Sequence, residues 1–254
     1  MSSERQALDF KSPWWGEHVH RYQEVVRYSG AQDRILDIAC GTGFGTVMLA
    51  KHTRNTVTGG DISEEALQEC IRSWKEVKNA EFQHINSTSI PYPDKTFDKI
   101  VSFETIEHVA AYDKTIAEFR RVLKDEGMLF ISTPNFPVNS PGGKVMNPFH
   151  VKEFTFPELN TLLTGHFSKV NIYGQEYARY RNRNGFRFRI AQNAERLLYL
   201  RGFRKIPLFM KDRIIFRLIR KPMYPLPEDY RLTDKEGEVL RCKTFFAACS
   251  GKKP

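Results

Sequence analysis

Between Ile35 and Thr46 the chain reads ILDIACGTGFGT, a short apolar run holding one acid, Asp37, followed by glycines at three alternate positions, Gly41, Gly43 and Gly45. A brief apolar run that ends in glycine reads as a buried strand rather than a helix. The stretch from Thr46 to His52 then reads as a helix, so the glycines form the turn between the two. Glycine takes left-handed backbone angles without strain, and a turn built of it lets main-chain N–H groups face a ligand with no Cβ between. A chain with this turn is held to the α/β class, with a ligand site at the end of its first strand.

The rest of the chain repeats the alternation. Strands are expected at Arg34–Ile38, Thr56–Gly60, Ala80–Ile85, Lys99–Phe103 and Met128–Ser132, and again at Lys169–Tyr173 and Thr244–Cys249. Helical spacing runs through Glu17–Tyr28, where Val19, Tyr22, Val25 and Val26 share a stripe, through Asp113–Leu123, and near Phe156–Thr164. Ser63, ahead of Glu64 and Glu65, reads as the N-cap of a further helix. Strands alternating with helices imply parallel β-α-β units with right-handed crossovers, and so a three-layer α/β sandwich. Pro134–His150, rich in proline, glycine and asparagine, is too long for a simple connection and reads as a functional loop.

Two ligand classes use a glycine turn at the first strand of such a sheet. A dinucleotide places its pyrophosphate over the helix start and takes GxGxxG spacing. S-adenosylmethionine carries no phosphate but an ammonium and a sulfonium. Here the spacing is GxGxG, and Asp37 stands before the first glycine, where a carboxylate repels a pyrophosphate and attracts a cation. The acid favours the second ligand. ILDIACGTGFG, then TGGDIS, FDKIVSFETIEHV and VLKDEGMLFISTPN, in that order from Arg34 to Ser132, resemble the class I S-adenosylmethionine-dependent methyltransferases. The resemblance implies a seven-stranded, mostly parallel sheet of order 3-2-1-4-5-7-6, with strand 7 antiparallel. It also implies that Gly41, Thr42 and Gly43 pass against the methionine and ribose of the cofactor, that Asp61 takes both ribose hydroxyls, and that Ile62 packs on the adenine. A carboxylate has two oxygens and suits a vicinal diol. Asn86-Ser87 stands where the family usually has Asp-Ala against the adenine, and the amide oxygen of Asn86 can still accept from the adenine amino group.

Ligands of open α/β sheets bind beyond the carboxyl ends of the strands. Phe103 and Glu104 therefore fall beside the cofactor, and Thr105-Ile106-Glu107-His108 emerges at the same rim. Methyl transfer is an in-line displacement at an activated carbon, so positioning does most of the work. A base is needed where the acceptor oxygen carries a proton. His108 suits that task, since an unperturbed imidazole titrates near ~6.5. The alternative is that the polar residues of E-x-x-E-H bind one another and fix the loop, Glu107 above all. WWGEHV near the start, ACGTGFG, FETIEH and NPFHVKEF together look like a bacterial branch of the family associated with surface polysaccharide and glycan modification. That extends the resemblance to about Gln175 and implies a hydroxyl of a sugar or glycan precursor as acceptor. A quinone or natural-product phenol is the alternative small-molecule acceptor. On the glycan reading Trp15, or its neighbour Trp14, offers an aromatic face and His150 and Glu153 reach the sugar; otherwise His150 and Glu153 brace the loop onto the sheet. No compact set of His, Asp and Glu has ligand spacing, so no metal is expected.

Charge is uneven along the chain. Ala178–Pro222 holds 14 Lys and Arg against two acids, Glu195 and Asp212, a local net of +12 in a chain of net +9, which leaves the remainder at about −3. Arginines interleaved with aromatics at Tyr177–Arg183 and Arg187–Arg189 follow a pattern that binds RNA. Against a nucleic-acid partner, Glu104-Thr105-Ile106-Glu107 stands where the family's RNA and DNA N-methyltransferases often carry N/D-P-P-Y/F. Aliphatic clusters among Lys and Arg over Arg196–Arg220 suit a helix lying on an anionic membrane. They suit equally a lid over a diphosphate-linked sugar, or an ordinary insertion packed on the sheet. The organisation expected is a helical cap over 1–33, a methyltransferase core over 34–177, a basic helical insertion over 178–240 and the last strand with a tail over 241–254. A polar N-terminus without a signal peptide and four cysteines without paired or metal spacing point to a reduced, cytoplasmic protein, with peripheral contact at the inner membrane face as the further expectation.

Overall fold

Neighbouring residues of the central strands sink into different hydrophobic cores, as a sheet covered on both faces requires. The computed structural model describes residues 13–180, 186–198 and 205–253. Its strands are β1 (Ile35–Ile38), β2 (Val57–Asp61), β3 (Ala80–His84), β4 (Phe97–Phe103), β5 (Leu123–Pro134), β6 (Phe167–Tyr177), β7 (Tyr230–Thr233) and β8 (Thr244–Lys252). The helices are α1 (Trp15–Arg27), α2 (Phe44–Ala50), α3 (Glu64–Ser73), α4 (Tyr112–Val122), α5 (Phe136–Asn139), α6 (Phe156–His166), α7 (Phe186–Leu198), α8 (Leu208–Ile219) and α9 (Glu236–Val239). On one face of the sheet Leu36, Ile38, Ile100, Leu129 and Ile131 pack with Ile116 and Phe119 of α4 and Leu159 and Leu163 of α6. On the other, Ile35, Val57, Val101 and Phe130 pack with Tyr22 and Val25 of α1 and Leu49 and Ala50 of α2. The result is the expected three-layer sandwich. Ser63 caps α3 as its sequence predicts, accepting from Ala66 N at 3.3 Å.

The strand order is β3-β2-β1-β4-β5-β8-β6-β7. β1 to β5 pair in parallel, and β8 runs antiparallel to both β5 and β6. Up to β6 this is the order implied by the resemblance, with β8 as its seventh strand. The correction is the eighth strand, β7, at the edge. Tyr230–Thr233 is four residues long and sits between Asp229 and Asp234, too short to show a period of two.

The chain divides into two compact units. One takes in Arg21–Glu176 and Leu232–Pro254 and carries both cores just described. The other takes in Tyr177–Arg231 and a piece that ends at His20. Its own core joins Ala191 and Leu198 of α7 to Ile215 and Ile219 of α8 and to Met223. Arg179 lies inside this unit, its side chain 0% exposed, 3.2 Å from Glu195 and 3.6 Å from Asp229. The Tyr177 hydroxyl donates to Glu195 at 2.7 Å. So Arg179 is engaged inward rather than offered to bases, whereas Tyr177 and Arg189 of the interleave are exposed; 181–185 and the side chain of Arg187 lie outside the described residues.

Removing one partner from a buried ion pair leaves the other desolvated and costs about 3 kcal/mol or more. Arg179→Met should lower the urea midpoint by that measure. An unchanged midpoint would put Arg179 in water.

Candidate active site

The three glycines of the turn are there for three different reasons. Gly41 has φ +56°, and a Cβ built on it meets nothing within 4 Å, so it faces open space. Gly43, at φ +74°, would carry a Cβ 2.7 Å from the Phe82 ring and 2.9 Å from Cys70 Sγ. At Gly45 the Cβ would fall 1.9 Å from Cζ of Tyr22. At Gly41 the space beside the backbone is open; at Gly43 and Gly45 the missing side chain lets parts of the protein close on each other.

What closes over Gly45 is the ring that holds Asp37. The Tyr22 hydroxyl donates to Asp37 Oδ1 at 3.0 Å, and Thr46 Oγ1 donates to Oδ2 at 2.7 Å. Asp37 is wholly buried. Burial pushes its carboxyl up to about 7 despite those two hydrogen bonds, which favour the anion, and the charge of Asp61 adds to the rise. The Tyr22 phenol is in turn raised well above its ordinary value, by burial first and by Asp37 second. Asp37 was expected among the cofactor contacts. It reaches no surface, and from beneath the turn it ties α1 and α2 to β1.

Asp61 closes β2. Its Oδ2 accepts from Gly41 N at 3.0 Å and its Oδ1 from Ser63 N at 2.9 Å. Each oxygen keeps a second lone pair, so the carboxylate that ties the turn to β2 can still take a diol. Ile62, next in the chain, is 66% exposed, an apolar side chain beside the carboxylate and outside both cores. The turn is also held from behind. Trp74 Nε1 donates to Thr42 O at 2.9 Å and Cys70 Sγ to Gly41 O at 3.2 Å. Neither residue was expected here, because each lies about thirty positions along the chain and nothing local marks it. Asn86 departs from expectation. Its Oδ1 accepts from Thr88 N at 3.0 Å and Thr88 Oγ1 at 2.9 Å, which fills both lone pairs and makes it a turn former. The hydroxyl of Ser87 sits 3.2 Å from Thr115 Oγ1.

At the end of β4, Phe103 packs edge-on against Tyr22 with centroids 5.0 Å apart. Glu104 follows with φ +50°, a left-handed angle that costs a non-glycine residue roughly 1–2 kcal/mol and that clusters at working sites. Its Oε1 accepts from Arg21 at 3.2 Å and from Ser132 Oγ at 2.7 Å, and the same Arg21 nitrogen donates to Gln175 Oε1 at 3.2 Å. Arg21 is fully buried on α1. Helical periodicity passes over it because it flanks the apolar stripe.

The 3-10 turn Ile106–His108 forms the rim. Glu107 is wholly buried, with Thr133 Oγ1 donating to its Oε2 at 2.9 Å. Burial, helped by the charge of Glu104, raises its carboxyl well above the usual range. Its main-chain oxygen accepts from Val151 N at 2.7 Å and Lys152 N at 3.1 Å, which pins the long loop to the rim. His108 Nδ1 donates to Phe149 O at 3.0 Å, so its Nε2 is the basic nitrogen. His150 lies beside it, ring centroids 4.8 Å apart, with Nδ1 donating to Glu153 Oε1 at 2.8 Å. Glu153 is buried, and its other oxygen accepts from Ser140 Oγ at 2.7 Å. It braces the loop and orients His150; it does not reach out to an acceptor. The expectation of no metal set also changes, because Glu107, His108 and His150 each bring a ligand atom within 4.8 Å of the others. Sequence spacing misses this, since His150 comes from the far end of the loop. Trp15 opens α1, half-buried, in the unit that also takes in Tyr177–Arg231.

Residues 36–131 match the family model described as a methyltransferase domain. Over 157 residues the chain is 33% identical to a probable S-adenosylmethionine-dependent methyltransferase of Mycobacterium tuberculosis, covering 61% of this chain and 56% of that one. Over 129 residues it is 33% identical to a demethylmenaquinone methyltransferase of Staphylococcus saprophyticus, covering 49% of this chain and 54% of that one. The chain thus spans about half the length of the curated relatives it matches. The crystal structure of the cyclase SpnF shares the fold, with a TM-score of 0.59 over 97% of this chain and 84% of that one at 20% identity. The matched segment holds the glycine turn, Asp61 and the rim, and over these residues the chain is similar to methyltransferase domains.

An aspartate in the unfolded chain titrates near ~3.9, whereas folded Asp37 keeps its proton to about 7. Between those values the native state binds the extra proton, so stability falls as pH rises through that window. Asp37→Asn is isosteric and neutral and removes the loss. Its melting temperature should exceed the wild type at pH 8, and the gap should close near pH 4. Cofactor affinity should rise with pH through about 7 in the wild type and stay flat in the variant. Melting curves that coincide at every pH would give Asp37 an ordinary carboxyl.

Proposed function

We propose that the protein transfers the methyl group of S-adenosylmethionine to a hydroxyl oxygen. The reading is carried by one juxtaposition: a turn open at Gly41 and tied to Asp61, beside a rim whose His108 has its basic nitrogen fixed by a main-chain carbonyl. The open cradle at Gly41, the diol-ready carboxylate of Asp61 and the exposed side chain of Ile62 fit the cofactor's methionine, ribose and adenine parts respectively. Asp37, buried below, supplies the negative field for its positive charges. Bound there, the cofactor supplies an activated methyl carbon. What remains is orientation and removal of one proton. Arg21 and Ser132 hold Glu104 at the end of β4, and His108 takes the acceptor's proton at Nε2 while its Nδ1–H stays on Phe149 O.

The acceptor class is a separate question. None of the relatives above is named for a sugar, and one is named for a quinone. A lipophilic acceptor met at a membrane surface is supported by α8. Ile215 and Ile219 join its unit's core, yet Phe209 at 69% exposed, Met210, Ile214 and Phe216 stay outside, among exposed Arg213, Arg217 and Arg220. Apolar side chains set among arginines suit a helix lying in an anionic interface. No described helix is long and apolar enough to cross a membrane.

Calorimetry with S-adenosylhomocysteine should show Asp61→Ala weakened more than tenfold. His108→Ala should bind it as the wild type does and lose roughly a hundredfold or more in turnover; full activity would make this imidazole a structural group. Labelled cofactor offered with a quinol and with a sugar acceptor, read by mass spectrometry, chooses the class, and methylation of the sugar alone would overturn the lipophilic reading. Anionic liposomes should float the wild type and not a Phe209→Ser, Phe216→Ser double variant.

A further inference from the structure

We infer that Glu107, His108 and His150 form a binding site for a divalent first-row transition metal. One ligand atom from each lies within 4.8 Å of the other two. Two imidazoles and a carboxylate are the donor set of many catalytic zinc and non-haem iron sites. Three protein ligands leave a coordination position open, as catalytic sites require.

The surroundings of the three groups are those of ligands. Metal-bound histidines present one nitrogen to the ion and give the other N–H to an oxygen that fixes the ring. Both histidines here give Nδ1–H to such an oxygen. His108 Nδ1 donates to Phe149 O at 3.0 Å, and His150 Nδ1 donates to Glu153 Oε1 at 2.8 Å. Glu153 is in turn held by Ser140 Oγ at 2.7 Å, so the brace behind His150 is two residues deep. The second observation is Glu107. Its Oε2 accepts from Thr133, whereas Oε1 is buried with no hydrogen-bond partner among the described residues. A buried carboxyl oxygen without a partner is unfavourable, and a cation bound to it removes that penalty. The main-chain bonds from Val151 and Lys152 to Glu107 O hold the two segments in place without help from an ion. Asn147, whose amide now donates to His150 Nε2 at 2.9 Å, must give way to an ion at that nitrogen.

Binding does not depend on the methyltransferase reading; its consequence does. A hydroxyl oxygen at the open position would release its proton to water more readily. That oxygen then bonds to the methyl carbon as the carbon–sulfur bond breaks and leaves its electron pair on sulfur. His108 would serve as a ligand where a metal-free site uses it as a base.

The test is equilibrium dialysis of the chelator-treated full chain against Zn2+ with elemental analysis, repeated with Co2+ to read its visible absorption. One ion per chain is expected. His150→Ala and Glu107→Gln should each weaken binding at least tenfold, Glu153→Gln roughly tenfold through His150, and Asn147→Ala should bind no more weakly than the wild type. S-adenosylhomocysteine calorimetry on the same samples reports whether each variant is folded, and His150→Ala carries the test if Glu107→Gln is not. Absence of stoichiometric metal, or binding indifferent to both ligand variants, overturns the site even where S-adenosylhomocysteine still binds. A wild type that binds metal but not S-adenosylhomocysteine would overturn the methyltransferase reading and leave the site standing.

Discussion

Taking a carboxyl group wholly out of water is unfavourable by several kcal/mol unless it is neutralised or hydrogen-bonded. Asp37 receives both treatments in part: two hydroxyls donate to it, and its proton is held to about 7. The phenol that does this comes from α1 and must cross the first turn of α2 to arrive, which is why residue 45 has no side chain. Helix, turn and acid are therefore one device. On the proposed function, a positive ligand lying over Gly41 would relieve what folding leaves unfavourable at Asp37, and part of its affinity would be stored in the fold.

The residue before that tyrosine serves the other carboxylate of the site. Arg21 and Tyr22 are adjacent on α1, and one meets Glu104 while the other meets Asp37. A single helix thus gives the rim acid a cation and the buried acid a neutral donor. The difference fits their tasks. Glu104 keeps a full charge partner and stands partly open at a left-handed position, whereas Asp37 has none and waits for a charge from the ligand. Glu107, a turn further on, has a hydroxyl on one oxygen and no hydrogen-bond partner on the other among the described residues. Of the three acids it is the one left with a coordination task.

The sheet was legible from short apolar runs and the turn, because parallel strands buried on both faces announce themselves without any need for distant contacts. The positions of Asp61 and Ile62 were legible for the same reason, since one closes a strand and the other follows it. The misses share a cause. Cys70, Trp74 and Arg21 act on segments far along the chain, and of the two tasks left open for Glu153, sugar contact or loop brace, its burial favours the brace. Asn86 was given a ligand that Thr88 already displaces. Composition alone ranks such polar residues as available; only the fold says which lone pairs are spent.

The basic segment shows the same limit for charge. A local net of +12 invites a polyanion, but a count does not say which way an arginine faces. Arg179 is sealed among Glu195 and Asp229, and Lys211 is buried on the inner side of α8. What remains outside on α8 is arginine set among phenylalanine, methionine and isoleucine. Phosphate groups alone would be met by the arginines and would leave those apolar side chains in water. A surface that offers anionic headgroups above hydrocarbon satisfies both kinds at once, and that pairing, more than the charge, separates a lipid interface from a nucleic acid.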